Sequence, residues 1–156
     1  MNVELFSAEE SLKIREKFIK SFTDKSQKLR LYPYPEGKRC KDYIWEHMTD
    51  YTLISSADAL KMIANCDCIY MMQDLAKYPD DHRLDLPFPI ERIAKVTGSE
   101  LVTYLSDNFP PQLGCYIFDS SFRWYITITN ESDYVIIDGE QIYDCISFYY
   151  KGVKNG

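Results

Sequence analysis

Hydrophobic and polar positions alternate most clearly in the stretch YIFDSSFRWYITITNESDYVIIDG, Tyr116 to Gly139. Phe122, Trp124, Ile126 and Ile128 fall on one face, and Arg123, Tyr125, Thr127 and Thr129 on the other. Period two with β-branched and aromatic residues predicts strands. The pattern predicts strands over Cys115–Phe118, Phe122–Thr129, Tyr134–Ile137 and Ile142–Tyr150. Asp119-Ser120-Ser121 turns the first pair. Asp138-Gly139 turns the last, because a type I′ hairpin needs positive φ at both central residues.

Upstream the period lengthens. Ser7-Ala8-Glu9-Glu10 reads as a capping box, and Leu12, Ile14, Phe18, Ile19 and Phe22 form an apolar side, predicting a helix from Ala8 to Phe22. Tyr32-Pro33-Tyr34-Pro35-Glu36-Gly37 breaks the helical pattern. Cys40, Tyr43, Ile44 and His47 recur at helical spacing and predict a helix over Lys38–Met48. A third helix follows a Ser55 or Ser56 cap, carries Ala59, Leu60 and Ile63, and ends near Asn65. Cys66–Met72 reads as a short buried strand, which puts Cys66 and Cys68 on one face. Residues 74–90 hold three Pro and no period, so a long excursion is expected there. Thr97 or Ser99 caps a last helix through Leu101, Val102 and Leu105. Helices come first and strands later. The expected fold is a single α+β domain over residues 1–156, its N-terminal helices packed on a largely antiparallel C-terminal sheet of hairpins.

Composition changes this picture in one respect. Thirteen Tyr lift the aromatic fraction to 15%, and Tyr suits half-buried sheet faces and interfaces. Charge changes it more. The net charge is −6, with ten Lys/Arg against six Asp/Glu in residues 1–41 and eight against eighteen in residues 42–156. An acidic chain lacks the basic footprint of a nucleic-acid binder. From Trp124 to Tyr150 there is no Lys or Arg. The candidate partner surface is therefore Glu131, Asp133, Tyr134, Asp138, Glu140, Tyr143 and Asp144, and its partner is a protein with a basic surface. The loop acids Asp80, Asp81 and Asp85, with His82, form a second candidate surface.

Catalytic and metal signatures are thin. Cys66-x-Cys68 with His47 and His82 lacks the paired Cys spacing of a closed zinc site, so no metal is expected. Asp80-Asp81-His82 resembles an acid–base set, yet it lies in a polar, Pro-rich stretch and fits a plain turn. Neither GxxxxGK[ST] nor GxGxxG occurs, and no cofactor is expected. Five Cys at irregular spacings, no signal-like N-terminus and no run of about 18 apolar residues point to a reduced, cytoplasmic setting away from membranes.

Three segments carry a family resemblance. They are Tyr43-Ile44-Trp45-Glu46-His47, Cys68-Ile69-Tyr70-Met71-Met72, and Asp119-x-x-Phe122-x-Trp124 leading to Thr129-Asn130-Glu131. Over roughly residues 30 to 131 their order and spacing resemble the bacterial proteins grouped as domain of unknown function 4275. Asn130 stands where that family often has His, so any chemistry of that His is lost here. The family brings an expected fold and no activity. Size, acidity, Tyr content and the missing catalytic set together suggest an immunity-type inhibitor that covers the basic active site of a bacterial toxin. The alternatives are an enzyme assembled from distant residues (His47 or His82 with Asp80, Asp81 or a Cys) and a homo-oligomeric structural protein.

Overall fold

The computed structural model describes residues 2–24, 44–48, 50–54, 56–73, 88–89, 91–107, 115–137 and 140–151. In chain order these form β1 (Glu4–Leu5), α1 (Ala8–Phe22), a 3-10 turn (Ile44–His47), β2 (Thr52–Ile54), α2 (Ser56–Ala64), β3 (Ile69–Gln73), β4 (Ala94–Val96), α3 (Gly98–Asp107), β5 (Cys115–Phe118), β6 (Trp124–Ile137) and β7 (Glu140–Lys151). The strands make one sheet in the order β1-β4-β3-β5-β6-β7-β2. Every pairing is antiparallel. The α+β class holds.

The expectation of helices packed on the sheet left open which face they cover, and the described layers answer it. β3 and β5 are buried at alternate residues on both faces. Ile69, Met71, Cys115, Ile117 and Ile126 join one core, where Ala59 and Ile63 of α2 and Leu101 and Leu105 of α3 pack. Met72, Tyr116, Phe118 and Tyr125 join the other, with Phe18, Ile19 and Phe22 of α1 and Ile44 and Met48. Helices thus cover both faces of an antiparallel sheet. Such a sheet often leaves one face to solvent, but here neither parity of the central strands is polar enough to be left wet. The short strands β1, β2 and β4 were not foreseen, because two or three residues carry no readable alternation.

α1 starts as expected, with Glu10 N–H donating to Ser7 Oγ at 3.1 Å. Its buried stripe differs from the predicted one. Leu12 is exposed, while Ser11 and Arg15 are buried with Phe18, Ile19 and Phe22. The reason is hydrogen bonding to the sheet. Ser11 Oγ accepts from Ile93 N–H at 2.9 Å. Arg15 Nη1 donates to the carbonyl of Gln73, the last residue of β3, at 2.8 Å. Gln73 Nε2 in turn donates to the Phe88 carbonyl at 3.3 Å. Polar side chains placed against a sheet margin satisfy backbone groups that would otherwise be buried unpaired.

On the opposite layer, Gly98 opens α3 where its N–H donates to the Cys66 carbonyl at 2.9 Å. A Cβ at this position would stand 2.0 Å from the Ile63 carbonyl oxygen and 2.6 Å from that of Cys66. The α2–α3 junction therefore requires glycine. Thr97 caps α3 by accepting from Glu100 N–H at 3.3 Å.

Three further expectations change. The strand read at Cys66–Met72 runs Ile69–Gln73, leaving Cys66 half-buried and Cys68 exposed ahead of it. The two strands expected between Phe122 and Ile137 are one strand, β6. Of the helix expected over Lys38–Met48, the described part is the turn Ile44–His47; residues 38–43 lie outside the described residues.

Two substitutions test this packing. Phe18 is fully buried and its ring meets Phe22, Tyr116, Phe118 and Tyr125 at centroid distances of 4.6 to 6.0 Å. Phe18→Ala is expected to cost about 3–5 kcal/mol and to lower Tm by on the order of 10 °C; a shift below about 2 °C would refute the packing. Gly98→Ala is expected to cost about 1–3 kcal/mol by urea denaturation, since two carbonyls must move, and a neutral result would mean the junction is looser than described.

Candidate functional site

β6 begins behind a tightly held turn. The Asp119 carboxylate accepts from Ser121 N–H at 2.9 Å and from Trp124 Nε1–H at 2.9 Å through its two oxygens. Phe122 adopts φ 53°, the left-handed region. That kink breaks the expected alternation: Phe122 packs against the α1 core and Trp124 against the α2–α3 core. Lys17 Nζ sits 4.6 Å from the Phe122 ring centre. Asp119, Phe122 and Trp124 therefore act as a structural clamp. Trp124 is half-buried rather than fully enclosed.

Past this turn the β6–β7 ladder outgrows its neighbours. β5 pairs with Tyr125–Ile128, and β2 pairs with Ser147–Tyr149. The ladder continues through Ser132↔Cys145, Asp133↔Asp144, Tyr134↔Tyr143, Val135↔Ile142, Ile136↔Gln141 and Ile137↔Glu140. Among the described residues no third strand flanks these six pairs. At about 3.3 Å per residue they span roughly 20 Å. The register shifts between Ile128↔Ser147 and Ser132↔Cys145, so Thr129, Asn130 and Glu131 oppose Ile146 alone. Such a bulge bends the strand and increases its twist. The Asn130 position of the family resemblance thus falls in the bulge.

The structure brings together Glu131, Asp133 and Tyr134 on β6 with Glu140, Tyr143 and Asp144 on β7. Asp133 and Asp144 are register partners, and like charges directly opposite destabilise a ladder. Asp138 belongs to the connection between Ile137 and Glu140 and lies outside the described residues, as do Asp80, Asp81, His82 and Asp85. His47 ends the 3-10 turn half-buried, and its carbonyl accepts from Asp24 N–H at 3.2 Å.

A separate open cleft of about 370 Å³ lies at the β1–β4 corner, lined in part by Glu4, Asp67, Cys68, Lys95, Thr97 and Glu100. Lys95 Nζ approaches Glu4 Oε2 at 3.8 Å across exposed surface. The cleft draws on neither His47 nor the ribbon acids. Among the described residues no group of three or more His, Cys, Asp or Glu is placed to hold a metal ion. No described helix is long and apolar enough to cross a membrane.

Sequence reasoning missed Ser11 and Arg15, two buried polar residues that tie α1 to the sheet. A signal was present: Ser11, Arg15, Phe18 and Phe22 recur at i, i+4, i+7 and i+11. Read as one stripe, they place two polar residues on the core side. No family model matches the chain, and no curated protein or solved structure matches it either.

Cys66 shows how local setting separates the thiols. Burial raises its pKa above the usual thiol value, and the carboxylates of Asp119 and Asp67 raise it further. Cys68 is exposed and Cys115 is buried. Because the thiolate is the reactive form, iodoacetamide at pH 8 is expected to label Cys68 first, Cys66 more slowly and Cys115 only on unfolding. Peptide mass spectrometry reads the order, and equal rates at Cys66 and Cys68 would contradict the setting described.

Proposed function

We propose that this is a binding protein whose acidic β6–β7 ribbon docks on a basic protein surface. Within that class we assign it as an immunity-type inhibitor that covers the basic active site of a bacterial toxin. One observation supports the reading above others: the ribbon runs past both flanking strands and carries Glu131, Asp133, Glu140 and Asp144, with no Lys or Arg from Trp124 to Tyr150. Carboxylates there steer a cationic partner, and Tyr134 and Tyr143 supply aromatic anchors. Inhibition of this kind needs geometry and charge and no chemistry of its own. Free thiols at Cys66, Cys68 and Cys115 suit a reduced cytoplasm. Membership of domain of unknown function 4275 belongs to the same proposal and adds no activity to it.

The test pairs the protein with the product of a neighbouring gene that arrests growth when expressed alone. Co-expression is expected to relieve the arrest. The triple change Glu131→Lys, Asp133→Lys, Glu140→Lys is expected to slow stopped-flow association at low salt by about tenfold or more and to flatten its salt dependence. Tm should not fall, since Asp133→Lys replaces the like-charge pair with Asp144 by an opposite-charge one. The same change at Asp80, Asp81 and Asp85 is the control. Slowing there alone would move the site to the loop, and slowing at neither would remove charge from the mechanism.

A further inference from the structure

Resting on the reading of the ribbon as an acidic interface, we infer that the partner is engaged by strand addition. An extended cationic segment pairs with the outer edge of β7 over Glu140–Ile146, continuing the row that β2 begins. β2 pairs with β7 from Thr52↔Tyr149 to Ile54↔Ser147. At Ser56 the chain enters α2 and leaves the row, while β7 extends back to Glu140. No described strand occupies that edge. A ribbon of two strands is marginal by itself, and a third strand stabilises it. An edge row of backbone N–H and C=O groups is a template for another chain.

Charge selects the occupant. The ribbon carries the facing pair Asp133↔Asp144 and also Glu140 opposite Ile137. No cation occurs between Trp124 and Tyr150 to offset them. A second copy would bring the same acids to the same edge, so the fitting occupant is basic. Every second residue from Glu140 is Glu140, Ile142 and Asp144. The matching strand therefore alternates Lys or Arg with an aliphatic residue in the same order. Backbone pairing supplies affinity and the alternate side chains supply specificity, the division found where peptides add to sheet edges.

The test uses the full chain and blocked synthetic peptides as long as the open edge. The first carries lysine, valine and lysine at alternate positions, separated by threonine. The second has glutamate for lysine. The third keeps every lysine but replaces the valine and one threonine with proline, so a ladder donor is lost whichever alternate set of N–H groups faces β7. With the first peptide, hydrogen exchange is expected to slow by about tenfold at the outward-pointing amides of residues 140–146, those not bonded to β6, and fluorescence anisotropy to give binding at least about tenfold weaker for the proline peptide. The glutamate peptide should not bind. Equal binding of the lysine and proline peptides would overturn strand addition and leave only charge attraction. Failure of all three peptides would overturn it too. So would protection of these amides in the free protein, either complete at low concentration or rising with concentration; the second pattern would assign the edge to another copy. Relief of toxin-induced arrest involves no peptide, so the inhibitor reading stands or falls separately.

Discussion

The four residues of β5 set the terms for the rest of the molecule. Cys115, Tyr116, Ile117 and Phe118 are at most 1% exposed, so a strand at the middle of the sheet has no side to give to water. Each face must then be roofed by helix. α1 and the 3-10 turn roof the face of Tyr116 and Phe118, and α2 and α3 roof that of Cys115 and Ile117. A fully buried aromatic or aliphatic side chain contributes about 1.5–3 kcal/mol. Two filled layers on a sheet of short strands are thus the main source of stability, and neither layer is dispensable.

The roofs are held by polar contacts at their margins as much as by apolar ones at their centres. Arg15 and Ser11 reach from α1 to backbone groups of Gln73 and Ile93. Across the sheet, Gly98 lets the start of α3 close on the carbonyls at the end of α2. These contacts set where each helix sits along the sheet, which non-directional hydrophobic packing leaves open. They also remove Arg15 from the pool of surface cations.

Among the described residues, the central strands β3 and β5 are covered on both faces. The β6–β7 ribbon is the longest ladder among the described strands. Its inner half is built into the core through Tyr125 and Ile126, and its outer half lies beyond both flanking strands. The bulge at Thr129–Glu131 separates the two halves. An anchored half with a projecting acidic half suits binding by shape and charge. The corner cleft, by contrast, is lined by neither histidine nor the ribbon's acids.

Local rules were enough for much of the chain. The Ser7 cap and the apolar recurrence made Ala8–Phe22 legible, and alternation on either side of Asp138-Gly139 made the last hairpin legible; the Pro-rich break at residues 32–37 lies outside the described residues. The acidic, cation-free character of that hairpin also followed from residue order alone, since charge composition does not depend on packing. Tertiary structure decided what those rules cannot reach. Period two in Trp124–Thr127 says that two faces differ, but whether the second is wet depends on which distant helix lies over it. Arg15 and Leu12 exchanged places because the end of β3, inside the sheet, offered Arg15 the Gln73 carbonyl. Phe122 and Trp124 parted to opposite cores because the Asp119 turn holds Phe122 itself in the left-handed region. The length by which β6 and β7 outrun β5 and β2 likewise depends on where those neighbours stop, a property of the assembled sheet that no single strand encodes.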